Sequence, residues 1–373
     1  QIRMQFWKSL PRIVPVLFLL CLAGCGKFFV PETNPTPPGG SGNLLYVANG
    51  TASTITGFSI GTSNLTGTSN SPYLMGVAPS AMTVTPSGAY VYVASLAGAI
   101  YGYSVGSNGA LSILNSGNAL VTGISPIALK VDPSGGWLVA ADLTPAAYVF
   151  SINSSTGLLT QQGGTLGLDP GGPNRIIFTP NNSLVYISLG TGGVDICTFN
   201  VSSGALSKTN QILRPKASAN ADQGMAVDPS STYLFVAETG VNGVRVLSIA
   251  STGALTELSG SPYATGLGPS AVLVDSTGAY VYVTNRTDGT VSAFSLSTTG
   301  GLTQITGSPF ATGRNPVDLT EDISHTYLAV ACASGSPDLQ VFTIQTTTAG
   351  ALTSFATSGG TTASGALAVV AAD

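Results

Sequence analysis

The sequence predicts an all-β fold, a seven-bladed β-propeller with four antiparallel strands per blade. Three observations carry this: a unit that recurs seven times, a chain nearly emptied of charge, and two ends that complete each other. Anchoring on the second aromatic of "AYVYV" gives Tyr46, Tyr92, Val139, Tyr186, Phe235, Tyr282 and Ala329, at intervals of 46, 47, 47, 49, 47 and 47 residues. Each copy follows one plan. A strand such as "PSAVLV" runs into a "DSTG"-type turn, then "YVYVTN", a short loop, an alternating strand such as "VSAFSL", and a "TGAL" or "TGGL" turn into a short last strand. Four short strands at this spacing form a propeller blade.

Charge supports the same fold. Only 12 basic and 16 acidic residues occur in 373, against 43% hydrophobic residues, whereas about a quarter of a typical soluble domain is charged. A blade packs against a neighbour on each face, so its strands must be apolar on both sides. The ends agree. The first copy begins at its second strand, "NLLYVAN" (Asn43–Asn49), and the chain closes on "SGALAVVAAD", an innermost-strand pattern without a successor. The last strand is therefore expected to complete the first blade, and a closed ring over residues 43–373 needs no capping repeat.

Ahead of the ring lie Met4, the charged Lys8 and Arg12, the short apolar core "IVPVLFLLCL" and "LAGC" (Leu22–Cys25). This order reads as a signal peptide over residues 1–24, too short in its apolar core for a stable anchor. The box resembles the bacterial lipobox, which implies lipidation at Cys25. Residues 25–42 then read as a Pro- and Gly-rich tether. An exported protein is expected, held in the bacterial cell envelope by lipid, with Gly26 pointing to the outer membrane and periplasm. Cys21 leaves with the signal. Cys197 and Cys332 fall three blades apart, too far for a disulfide, and are expected as buried, unpaired thiols.

The ring sorts the few charges. Asp132, Asp228 and Asp275 open the turns of one face, where an aspartate caps its own turn. His325, the only histidine, sits in the equivalent turn and is not expected to act in chemistry. On the other face, the residue after the second strand reads Asn49, Ser95, Asp142, Leu189, Glu238, Asn285 and Cys332, polar in most copies. The next position holds arginine once, at Arg286. Loops between blades add Asp169, Arg175, Asp222, Gln223, Arg314 and Asn315. Arg175, Asp222, Glu238, Arg286 and Arg314 thus gather on one face of blades four to seven, while blades one and two place no charge there. That asymmetry points to an anion-binding mouth.

Several functions are excluded. With a net charge of −4 and no basic run in the ring, the chain lacks the clustered positive surface that nucleic acid requires. No His pair, Cys pair or acidic calcium loop suggests a metal, and no glycine-rich strand-to-helix loop suggests a nucleotide, so no cofactor is expected. The recurring "SPY" (Ser71–Tyr73, Ser261–Tyr263) and "SPF" (Ser308–Phe310) are expected to set blade edges. A monomer is expected, touching membrane only through the lipid.

"AYVYVTN" contains Tyr282-Val283-Thr284-Asn285, the tetrapeptide of YVTN-repeat propellers. With "DSTGAYVYVTNR" and the "TGxL" turns, the chain over Asn43–Asp373 resembles the seven-bladed lactonase family of 6-phosphogluconolactonase-like proteins. The resemblance implies lactone hydrolysis, which needs a base for water and cationic donors for the developing oxyanion. The family's "NR" is present as Asn285-Arg286. Its "GPRH" stands as Gly172-Pro173-Asn174-Arg175, without the histidine and with the arginine displaced. Its "NE" corresponds to Ser188-Leu189, without the carboxylate, and its "PR" to Pro316-Val317, with Arg314 two residues earlier. The first expectation is therefore a binding module whose mouth holds a small anionic ligand, a glycan or an envelope protein, through Asn285, Arg314, Asn315, Asp222 and Gln223. The alternative is a lactone hydrolase with Glu238 as base and Arg175, Arg286 and Arg314 as donors.

Overall fold

The computed structural model describes residues 42–216, 221–334, 337–358 and 365–372. The expected signal peptide, Cys25 and the expected tether up to Ser41 lie outside the described residues. Seven antiparallel sheets follow one another along the chain, and each is a blade. The innermost strands are Pro79–Val84, Pro126–Val131, Arg175–Phe178, Asp222–Val227, Pro269–Val274, Pro316–Glu321 and Ala366–Ala372. The last of these pairs with Leu44–Asn49, with Leu44 opposite Ala372 and Ala48 opposite Ala368. The ring closes as the two chain ends predicted. Among the described residues no helix is long and apolar enough to cross a membrane.

Second strands explain the composition. In Leu44–Asn49 and Tyr90–Ser95 every residue is buried. Successive side chains of a strand point to opposite faces. Tyr46 and Ala48 accordingly pack with Val91 and Val93 of blade two, whereas Leu45 and Val47 pack with Ala329 and Ala331 of blade seven. A charge on either face would be stranded between blades. The tyrosines also latch neighbours together: the hydroxyls of Tyr46, Tyr92 and Tyr282 donate to the carbonyls of Gly109, Gly157 and Gly350, at 2.8, 2.9 and 3.0 Å.

Four blades depart from the four-strand expectation. Blades one, two, five and six carry an extra two-residue strand, Tyr73–Leu74, Val121–Thr122, Tyr263–Ala264 and Phe310–Ala311. It pairs with the loop end of the third strand. In blades three, four and seven a single outer strand of seven to nine residues covers the whole third strand. The Ser-Pro segments account for three of the splits: the hydroxyls of Ser71, Ser261 and Ser308 accept the amides of Gly57, Val246 and Ala293 where the outer strand lets go.

Carboxylates hold the turns of the second face, the one opposite the first face formed by the loops between blades. Asp275 accepts the amides of Thr277 and Tyr280 at 3.3 and 2.7 Å, and Asp132 accepts those of Ser134 and Trp137 at 3.1 and 2.7 Å. Asp228 and Asp322 do the same in their blades. His325 stands in the Asp322 turn with φ of 57° and lies 3.4 Å from Glu321. Cys197 and Cys332 are buried free thiols, and burial pushes the Cys197 thiol up to about 12.

Candidate active site

A channel of about 530 Å³ runs through the ring, and every innermost strand contributes to its wall. Most of the residues along that wall are apolar. Four charged residues interrupt it: Lys130, Arg175, Arg286 and Asp318.

Arg175 opens the innermost strand of blade four and Asp318 lies in that of blade seven. These blades are not neighbours, so their side chains meet across the channel. Arg175 Nη2 sits 2.8 Å from Asp318 Oδ1 and donates to the Val317 carbonyl at 2.9 Å. The other carboxylate oxygen of Asp318 accepts the Val369 amide at 3.0 Å. Both residues lie opposite the same register position of their second strands, Ser188 and Ala331. Lys130 is opposite Val139, two residues further along, or about 6–7 Å deeper at the rise of a strand. The even spacing leaves all three on one side of their strands, and the lysine stem is long enough to cover the difference. Burial lowers the pKa of Lys130; Asp318 opposes that shift and Arg175 adds to it. A second cavity of about 290 Å³, lined by Thr85, Asp132, Pro133, Phe178 and Ile323, also reaches Lys130. The amine thus stands where the channel meets the second face.

Arg286 marks the opposite mouth. It is exposed, its Nε donates to Asn315 Oδ1 at 2.7 Å, and Asn315 in turn donates to Ser334 Oγ at 3.0 Å. Arg314 is exposed and lies outside the channel lining. Asp222 and Gln223 begin the innermost strand of blade five; their side chains lie outside the described residues.

Glu238 and Asn285 occupy different ground. Both are fully buried and neither lines the channel. Asn285 accepts the Gly266 amide and donates to Thr290 and Ser292. Glu238 accepts the Lys216 amide at 2.7 Å and lies 3.5 Å from Arg245 Nε. Asp142 accepts the Ser125 amide at the same position of blade three. In blades three, five and six the polar residue that ends the second strand therefore ties down the loop arriving from the previous blade, since a buried amide needs an acceptor. In blade two Ser95 instead accepts the Ala97 amide of its own loop. Arg245 carries Glu238 into a further network, 3.1 Å from Glu257 and donating to the Arg214 carbonyl at 3.0 Å. The structure brings Arg175 and Arg286 to the channel and leaves Glu238, Asn285 and Arg314 outside its lining.

A family model described as a lactonase with a seven-bladed β-propeller matches residues 76–366. The chain belongs to the seven-bladed β-propeller lactonase family. No curated protein matches the sequence. Among solved structures, a protein from Bacteroides fragilis proposed to be a 6-phosphogluconolactonase aligns at TM-score 0.72 and 18% identity, over 92% of this chain and 100% of its own. A Bacteroides uniformis protein proposed to have the same activity aligns at 0.72 and 16%, over 88% and 99%. The periplasmic gluconolactonase of Pseudomonas aeruginosa aligns at 0.70 and 13%, over 89% and 99%. At these identities the likeness is one of fold.

As a lactonase-family channel, this one holds two charged residues that the loop-centred reading of the sequence missed. Lys130 and Asp318 both lie inside innermost strands, "PIALKV" and "PVDLTE", where the other copies are mainly small or apolar. That contrast was the available signal. Among the described residues, no three His, Cys, Asp or Glu side chains gather as a metal site would require.

Proposed function

We propose that this protein hydrolyses a lactone in the central channel. The supporting observation is the Arg175–Asp318 bridge, a charged pair spanning the channel in a chain of the lactonase family. Arg175 supplies N–H donors to the lactone carbonyl oxygen and to the oxyanion that forms as water adds. Asp318 holds that guanidinium in place across the gap, which avoids reorganisation during the reaction. Arg286 at the first-face mouth attracts and orients an oxygen-rich ring. Water must lose a proton as it attacks, and two residues of the lining can take one: Asp318 and, as the free amine, Lys130. Family membership favours this reading over the binding module that the sequence placed first.

A panel of sugar and aliphatic lactones tests it, with ring opening followed by acid release. Turnover that falls about 10²–10³-fold in Arg175→Met is the expected result, the usual cost of losing one oxyanion donor. Absence of turnover across the panel would leave the ring as a binding module and overturn the proposal. Export and anchoring through Cys25 belong to the same proposal, and palmitate incorporation that disappears in Cys25→Ala checks them.

A further inference from the structure

We propose that Lys130 is the proton-transferring residue of the channel, taking a proton from the attacking water and returning it to the ring oxygen. This inference rests on the lactonase reading above and names a catalytic residue for it.

The geometry discriminates between the two proton acceptors of the lining. Both oxygens of Asp318 are already engaged, one by Arg175 and the other by the Val369 amide. A carboxylate held in this way orients its partner. Lys130 has no such tie among the described residues: no carboxylate stands within ion-pair distance of its amine. Its two counterparts in the described ring differ. Lys208 is paired with Asp169 and Asp195, and Lys216 lies 2.9 Å from Glu257. Lys130 instead projects from a wall of Ile127, Ala128 and Leu129 into the space shared by both cavities. The charged and titratable groups facing it are Asp318 and Arg175 from the channel and Asp132 at the second-face mouth. Asp132 is committed to its own turn. Burial disfavours the ammonium form there, because removing an ammonium from water is costly.

The reaction balances with the neutral amine. Nζ accepts a proton from water while the water oxygen bonds to the lactone carbonyl carbon, and the π electron pair moves onto the carbonyl oxygen facing Arg175. The tetrahedral species collapses, the ring C–O bond breaks, and the ring oxygen takes the proton from the Lys130 ammonium. A hydroxy acid leaves, and the amine is restored. Lactone and water are the only reactants.

Two experiments on the intact protein test the assignment. Reductive methylation with formaldehyde and cyanoborohydride near neutral pH, mapped by mass spectrometry, reads the free amine directly. Lys130 is expected to be methylated ahead of Lys208 and Lys216, and labelling no faster than theirs would overturn the inference. For a lactone that the wild type opens, Lys130→Met is expected to lower kcat about 10²–10⁴-fold at nearly unchanged KM, the range for general acid–base groups. Lys130→Arg retains charge and length, cannot lose its proton at working pH, and is expected to be equally slow with no rising limb in its pH profile. A wild-type pH profile that persists in either variant sinks the role of Lys130 while leaving lactone hydrolysis standing. If no lactone is opened by the wild type, both readings fall together.

Discussion

Arg175 of blade four and Asp318 of blade seven meet at 2.8 Å across the channel, joining two blades that share no edge. The contact is a crossbar as well as a chemical feature. Asp318→Ala removes the crossbar and is expected to cost about 1–2 kcal/mol, below the value for a fully buried pair because Arg175 is 34% exposed and water screens it. Thermal unfolding of the single and double variants measures the coupling. An additive pair of effects would mean that the contact contributes nothing.

Glu238 is expected to matter for stability and not for turnover. It is fully buried beside Arg245, which is 5% exposed in its side chain, and it holds the Lys216 amide. Glu238→Ala leaves Arg245 without one of its carboxylates, at a cost of about 3–5 kcal/mol. Glu238→Gln keeps the amide bond and costs less. Lactone turnover per folded molecule is expected to stay at the wild-type level in Glu238→Gln, as measured after correction for the folded fraction.

The tyrosine latches give a graded test. Tyr282→Phe removes the hydrogen bond to the Gly350 carbonyl and is expected to destabilise by about 1 kcal/mol. Tyr186 occupies the same position in blade four, but its hydroxyl is buried without a partner among the described residues. Tyr186→Phe is therefore expected to be neutral or slightly stabilising. Denaturant midpoints for the two variants separate them.

Lys130 predicts a pH dependence whose sign is fixed. Burial lowers its folded pKa below the ordinary value of 10.5. Between those two values the unfolded chain holds a proton that the folded chain has released, so stability rises with pH through that window. Lys130→Met is expected to abolish this rise and to increase the melting temperature at neutral pH. Melting curves taken between neutral and alkaline pH check both parts.

Thiol chemistry offers a simple control on the ring. Cys197 and Cys332 are buried, and burial raises both thiols above the usual range. A thiol reagent is expected to leave both unmodified in the native protein and to modify both after unfolding. Rapid labelling of either in native buffer would indicate an open blade.

The fold was legible because the information is repeated. Seven copies of the "YVYVTN" unit report the same strand, and the unpaired patterns at Asn43–Asn49 and Ala366–Ala372 announce their own pairing. Turn carboxylates such as Asp275 were legible for the same reason, since an aspartate before a tight turn acts on amides two to five residues away. Local bonds leave local signatures.

The site was legible only in part. Arg175 and Arg286 stood out from the loops and from the "NR" and "GP" motifs, and both reach the channel. Glu238 and Asn285 stand at a recurring polar position, yet each satisfies an incoming amide there. Asp318 and Lys130 lie inside innermost strands, where no loop or motif marks them. Their importance comes from being near Arg175, which is 143 residues from Asp318 along the chain in one direction and 45 from Lys130 in the other.

By itself, then, the sequence determined the blade count, the strand order, the closure of the ring and the turns, because each follows from periodicity and short-range bonding. Only the tertiary structure decided which charges face one another. Ring closure brings the innermost strands of blades three, four and seven around one channel, and side chains distant in sequence meet at its centre. That meeting depends on the ring's diameter and on the depth of each residue along its strand, quantities that no single repeat encodes.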